Sequence, residues 1–220
     1  MKWKKEWDRF YKEGKYVMWW PSETVIRWTK RAFSEKTGRV LDSGCGNGRH
    51  ILFFAKIGFA IHGIDISSKS LNMAKESLKK EGLPAYLQQA SCTNLPYKDE
   101  EFDGVVLFGV LDHLLLDDIK KAIKETRRVL KEGGKVFFSL RSTRDSDYGK
   151  GKEIEENTFL IPGDVEKNLP QHFFSYNEIQ ELFAKFTIDY IEAEERLYPE
   201  GFSYIYSRWS LGATKEGIKS

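Results

Sequence analysis

Short apolar runs alternate along this chain with longer stretches whose apolar residues recur at helical spacing. Arg39-Val40-Leu41-Asp42, Phe59–Asp65, Ala85–Gln89, Phe102–Phe108 and Lys135–Leu140 read as five strands. Phe102–Phe108 (FDGVVLF) is almost wholly apolar, the signature of a strand buried on both faces. Between these runs, residues 48–57, 67–81 and 116–130 read as helices, closed by Gly58, Gly82 and Gly133-Gly134. Strands alternating with helices of this length predict βαβ units and a parallel sheet with right-handed crossovers.

The flanks read differently. Residues 1–35 read as helical, because Trp3, Trp7, Phe10 and Tyr11 recur at helical spacing, as do Val25, Trp28, Ala32 and Phe33. Pro21 and Ser22 suit a helix start and Gly38 a helix stop. Residues 142–171 are polar and carry Gly149, Gly151, Pro162, Gly163 and Pro170. A loop of that length inside a domain is usually functional or mobile. Ser175-Tyr176-Asn177-Glu178 has capping-box spacing and opens a helix to about Phe186. Thr187–Leu197 and Phe202–Leu211 read as a strand pair turning at Pro199-Glu200-Gly201, an antiparallel hairpin on one sheet edge. The expectation is an α/β fold: Rossmann-like, doubly wound, with a mostly parallel seven-stranded sheet, an antiparallel edge hairpin and a helical N-terminal extension. Its boundaries are 1–35 for the extension and candidate lid, and 36–220 for the α/β domain, with a cap insertion at about 142–174.

Composition narrows the function classes. At 40% hydrophobic and 31% charged residues, wholesale disorder is excluded. Thirty-five Lys+Arg against 33 Asp+Glu leave a net charge of +2, which argues against nucleic-acid binding driven by bulk charge. Two cysteines, Cys45 and Cys92, imply no disulfide framework and fit a reduced, cytoplasmic setting. The N-terminal MKWKKEWDRF is not of signal-peptide type, and no run approaches the roughly 18–20 apolar residues of a membrane span.

Asp42-Ser43-Gly44-Cys45-Gly46-Asn47-Gly48 follows the first strand and opens a helix. Its glycines let the backbone turn tightly and approach a ligand, and the helix start offers unpaired amides. A dinucleotide fingerprint needs Gly-x-Gly-x-x-Gly. Here Arg49 occupies the last glycine's place, so an adenosyl group with an amino-acid tail suits the loop better than a pyrophosphate. Asp65 ends the second strand, where a carboxylate can accept bonds from both hydroxyls of a ribose. It also suits the cap of the helix beginning near Ser67.

These motifs resemble the class I S-adenosylmethionine-dependent methyltransferase family. VLDSGCGNGRH (40–50) is similar to its first motif and GIDIS (63–67) to its second. ASCTNLPYKDEEFDGVVLFGVLDHL (90–114) is similar to the third and fourth together, and RRVLKEGGKVFF (127–138) to the entry of strand five. The resemblance spans about residues 36–141. It implies S-adenosyl-L-methionine as cofactor, S-adenosyl-L-homocysteine as product, and cofactor contacts from Gly44, Cys45, Gly46, Asn47, Asp65, Ile66, Ser91, Cys92, Thr93, Phe108, Gly109 and Val110. Ser91 departs from the aspartate that many relatives place there, which shifts adenine recognition toward the Cys92 backbone and the apolar Ile66 and Leu95. Glu132 stands where a proline is common.

Methyl transfer from a sulfonium needs alignment above all, and a base only for a poor nucleophile. His113 is the candidate catalytic residue, although it equally suits packing at a helix entrance. Arg141, Tyr148 and His172 are candidate substrate contacts, each with a packing role as the alternative. His50 and His62 read as structural, and no His/Cys/Asp cluster has metal-ligand spacing. Tyr11, Tyr16, Trp19 and Trp20 are candidates for a lid whose aromatic faces suit a sulfonium. Tyr11 and Trp20 are therefore added to the cofactor set. The expectation is a methyltransferase acting on a small-molecule acceptor, as a monomer or homodimer, with nucleic acid and membrane not expected as partners. An RNA or protein methyltransferase and a non-catalytic cofactor-binding module remain alternatives.

Overall fold

The computed structural model describes residues 3–15, 17–35, 38–162, 166, 168–198 and 204–217. Five strands build the parallel part of the main sheet: β1 (Arg39–Ser43), β2 (Ala60–Asp65), β3 (Tyr86–Gln89), β4 (Phe102–Phe108) and β5 (Leu130–Arg141). Two long strands, β9 (Thr187–Tyr198) and β10 (Tyr204–Thr214), complete it as an antiparallel edge, in the order β3-β2-β1-β4-β5-β10-β9. The seven-stranded, mostly parallel sheet with its antiparallel edge is thus the one the hydrophobic pattern predicts. The predicted turn at 199–201 lies outside the described residues.

Alternate residues of each strand feed two cores, because strand side chains point to opposite faces. Leu41, Val105, Leu107, Val136, Phe138 and Leu140 meet α5 (Leu116–Val129) and α6 (Tyr176–Leu182) on one face. Val40, Val106 and Phe137 meet α2 (Glu23–Ala32), α3 (Arg49–Lys56) and α4 (Ser68–Glu81) on the other. Trp28 of α2, 1% exposed, anchors that second core with its ring 5.9 Å from Phe137 and 5.6 Å from Phe33.

Two expectations need correction. The first 35 residues are not continuously helical: α1 (Lys4–Lys12) and α2 are separated by a turn and an extended strap. Gly14 at φ +69° and Pro21 supply the break. The segment 142–171 is not a bare loop either. It carries a separate three-stranded antiparallel sheet of β6 (Lys152–Glu155), β7 (Thr158–Leu160) and β8 (Pro170–His172). These strands are too short for an alternation to register, and β8 begins with a proline, which is tolerated at a strand's first residue.

The strand order reverses at β1: the chain runs outward to β3 and returns on the other side at β4. Such a switch point leaves a crevice at the carboxyl ends of the central strands, where α/β sheets bind ligands.

Candidate active site

The crevice holds a cavity of about 330 Å³. Its floor is the loop between β1 and α3. Gly44 and Gly46 have φ of +88° and +54°, conformations that side-chain-bearing residues seldom adopt. A Cβ on Gly44 would lie 2.4 Å from Val110 Cγ2, and one on Gly46 would lie 2.5 Å from the Tyr11 hydroxyl. The loop is therefore bare backbone clamped between β4's exit and α1.

Asp65 stands at the end of β2 and lines this cavity. The Gly46 N–H donates to its Oδ2 and the Ser67 N–H to its Oδ1, each at 2.8 Å. An ionised carboxylate has about four acceptor sites, so two backbone bonds leave acceptor capacity for a ligand. Burial pushes the carboxyl of Asp65 up, against these amide bonds, which hold it down.

The structure brings most of the expected cofactor residues together. Gly44, Cys45, Gly46, Asn47, Asp65, Ile66, Ser91, Cys92, Thr93, Phe108, Gly109, Val110 and Tyr11 all line the cavity. Ser91 and Thr93 link hydroxyl to hydroxyl at 2.8 Å. Both cysteine thiols are buried and raised by that burial, Cys92 to about 12, so neither is a thiolate nucleophile near neutrality.

Trp20 is not among them. It is 83% exposed and outside the cavity, with Trp19 also exposed and Tyr16 outside the described residues. The strap instead brings Met18 to the cavity wall, its backbone exchanging hydrogen bonds with the Asn47 side chain. The roof is α1, whose Trp3, Trp7 and Tyr11 face the cavity. Those three positions are spaced i, i+4, i+8, so the stripe was readable from Tyr11 backwards. The helix is tied down by Asp8, whose Oδ1 accepts from Ser67 Oγ (2.7 Å) and from the Lys69 N–H (3.2 Å) at the start of α4.

His113 lines the cavity, with its ring edge-on to Trp7 at 5.0 Å. It belongs to a short 3₁₀ turn, Leu111–His113, after β4. His50, expected to be purely structural, also lines the cavity. Its Nε2 accepts from the Ser22 N–H at 3.2 Å, and burial holds it neutral by lowering its pKa well below the usual value. His62 is structural as expected, stacked on Tyr86 at 4.6 Å.

None of the three candidate substrate residues lines the cavity. Arg141 is buried in a polar cluster, donating to Gln171, Asp145 and Asp147. Tyr148 donates to Asn157 Oδ1 at 2.8 Å and packs against Phe159 and Phe173. His172 is fully buried between Thr158 Oγ1 (2.7 Å) and Glu178 Oε1 (2.9 Å), joining the small sheet to α6. Their polar chemistry is spent on fastening residues 141–178 together. Among the described residues no cluster of metal-ligating side chains occurs, and no helix is long and apolar enough to cross a membrane.

A doubly wound sheet, a glycine loop that approaches a crevice as bare backbone, and an acid at the second strand end define a nucleoside-binding α/β protein. The comparisons with known proteins extend this. A family model described as a methyltransferase domain matches residues 41–138. An uncharacterised protein of Methanocaldococcus jannaschii is 31% identical over 90% of this chain and 85% of its own length. The ubiquinone biosynthesis O-methyltransferase of Dechloromonas aromatica is 33% identical over 56% of this chain, which spans 53% of that enzyme. A crystal structure of a SAM-dependent methyltransferase from Methanosarcina mazei superposes with a TM-score of 0.76 at 23% identity, covering 90% of this chain and 99% of that one. Residues 41–138 belong to a methyltransferase domain family, and the fold is that of S-adenosylmethionine-dependent methyltransferases.

Proposed function

We propose that this methyltransferase acts on a small-molecule acceptor bound beneath α1. The observation that carries the reading is the cavity of about 330 Å³ beneath α1. Its lining includes Trp3, Trp7, Tyr11, Phe108 and His113, a largely aromatic set suited to a compact organic acceptor. The near-neutral charge of the chain and the small-molecule chemistry in the name of the Dechloromonas relative support it.

The residues present fit the cofactor. Asp65 has acceptor capacity for a pair of ribose hydroxyls. The amides and bare backbone of Gly44–Asn47 suit the amino-acid tail, and Ile66 and Ser91–Thr93 suit the adenine. Phe108, Gly109 and Val110 suit the methionine end, and Tyr11 and Trp7 offer aromatic faces to positive charge. When bound, S-adenosylmethionine supplies an electrophilic methyl group. The protein's own part is to hold the acceptor in line with it and to exclude water under α1.

Calorimetry with S-adenosylhomocysteine, followed by turnover on a panel of small hydroxyl, amine and thiol acceptors, tests the reading. Wild type is expected to bind the product, and Asp65→Ala to bind it about 10²-fold or more weakly, the loss of two charge-assisted bonds. Equal affinity in the two proteins, or turnover only on RNA or protein, overturns it.

A further inference from the structure

Asp65 shares the cavity wall with a second carboxylate. Asp118 stands in the first turn of α5, and it lines the cavity together with Ala90, Ser91, Cys92, Thr93 and Leu114. It comes to that wall because α5 follows β4 through the short turn Leu111–His113, at the carboxyl edge of the sheet. Burial pushes the Cys92 thiol up to about 12, and the charges of Asp118 and Asp65 push the same way, so both acids act at this end of the cavity. An acid in a helix's first turn is favoured by the macrodipole alone. Asp117 occupies that turn too, but only Asp118 lines the cavity.

On the reading above, the adenine lies against Ile66 and Ser91–Thr93. Its exocyclic amino group is a donor, so recognition of that edge needs a protein acceptor. The hydroxyls at this wall are engaged with one another. Ser91 Oγ accepts from the Thr93 N–H at 3.2 Å and is hydrogen-bonded to Thr93 Oγ1 at 2.8 Å. The Ser91 carbonyl accepts from the Asn94 N–H at 3.1 Å. The Asp65 oxygens are turned to the Gly46 and Ser67 amides. Asp118 differs from all of these. Its Oδ1 accepts from Lys121 Nζ at 3.0 Å, and its Oδ2 has no hydrogen-bond partner among the described residues. The Asp118–Lys121 pair is solvent-exposed, and pairs of that kind hold a side chain only weakly.

We propose that Asp118 selects the base of the cofactor, its Oδ2 accepting a hydrogen bond from the adenine amino group. This rests on the cofactor reading above and deepens it by naming the residue that reads the base. The acceptor then comes from α5, and the loop after β3 contributes packing and main chain. Selection works by repulsion as well as attraction. A purine with a keto oxygen in place of the amino group turns an acceptor toward a carboxylate, and two acceptors form no bond.

Calorimetry with S-adenosylhomocysteine and with S-inosylhomocysteine, its analogue carrying that keto oxygen, tests the proposal without turnover. Wild type is expected to prefer S-adenosylhomocysteine by about 30-fold or more, the scale of a hydrogen bond to a charged group. Asp118→Asn offers the keto oxygen an amide donor and is expected to reduce the preference to about three-fold or less. Ser91→Ala is expected to keep the wild-type preference within about two-fold. A role confined to the start of α5 would lower the melting temperature of Asp118→Asn and leave the ratio of the two affinities unmoved. Asp65→Ala is expected to weaken both ligands alike, since they share the ribose, and so reports on the cofactor reading separately. A preference that survives Asp118→Asn, or one that is lost in Ser91→Ala, overturns the proposal. A wild type that binds neither ligand overturns the cofactor reading and this proposal with it.

Discussion

Met18 and Asn47 exchange two hydrogen bonds, the Met18 N–H to Asn47 Oδ1 at 3.3 Å and Asn47 Nδ2 to the Met18 carbonyl at 2.7 Å. Residues 29 apart in sequence thus behave like a ladder pair, and the strap between α1 and α2 is pinned to the glycine loop. Removing both bonds costs about 1–2 kcal/mol, at about 1 kcal/mol per neutral bond. Asn47→Ala is therefore expected to weaken S-adenosylhomocysteine binding by about ten-fold in calorimetry and to speed proteolytic cutting in residues 14–20. Unchanged protease sensitivity would show that the strap is held by other contacts.

The glycine loop and α1 meet at Gly46 and Tyr11, where a methyl group has no room. Gly46→Ala should abolish detectable cofactor binding at micromolar protein and lower the melting temperature. Truncating the clash with Tyr11→Leu should recover part of the loss, since the φ of +54° stays unfavourable for alanine whatever stands opposite. A double-mutant cycle by thermal unfolding reads the coupling. Full additivity would mean that Tyr11 does not press on the loop.

Asp8 fastens α1, and its charge sets a pH range for that fastening. Burial pushes its carboxyl up, but bonds from Lys4, Ser67 and the Lys69 amide outweigh it and hold the pKa below the usual 3.8. A depressed folded value gives stability that is present above the unfolded pKa and lost as pH falls through the folded one. The fluorescence of Trp3 and Trp7 should accordingly stay native-like down to about pH 4 and change below it. Asp8→Ala should show the loosened signal already at neutral pH, with the circular dichroism of the sheet unchanged.

Asp42 carries the opposite linkage. It is 1% exposed, and among the described residues its Oδ2 has no hydrogen-bond partner. Burial, opposed by Arg49 and reinforced by Asp65, pushes its pKa up to about 7. A raised folded value means the stabilising contribution is full below the unfolded pKa and is lost as pH rises through the folded one. Asp42→Asn should therefore raise the melting temperature at pH 8, and the gain over wild type should vanish near pH 4. A gain that persists at pH 4 would assign the effect to packing and not to charge.

Most of the nucleoside half of the site was legible along the chain because it is local. A strand, a glycine turn and a helix start lie within ten residues of each other, and Asp65 is marked by ending the next strand. Apolar runs of the β4 type announce a doubly covered strand by composition alone. The acceptor half was not legible in this way. Met18 and Trp20 lie two residues apart on one strap, and only the contact with Asn47 brings Met18 to the cavity wall while Trp20 stays outside it. Arg141, Tyr148 and His172 are chemically apt for substrate, yet each is engaged by protein partners outside the cavity: Arg141 and His172 are buried, while Tyr148 bonds Asn157 at the surface.

By itself, then, the sequence determined the sheet, its two apolar faces and the backbone cradle at the first strand's end, since all follow from periodicities and turn chemistry that act over a few residues. Tertiary structure alone decided which aromatic side chains roof the cavity and which carboxylate of α5 joins its wall. Those outcomes depend on contacts between segments tens of residues apart, and no local pattern records which partner a buried arginine or a strap residue will meet.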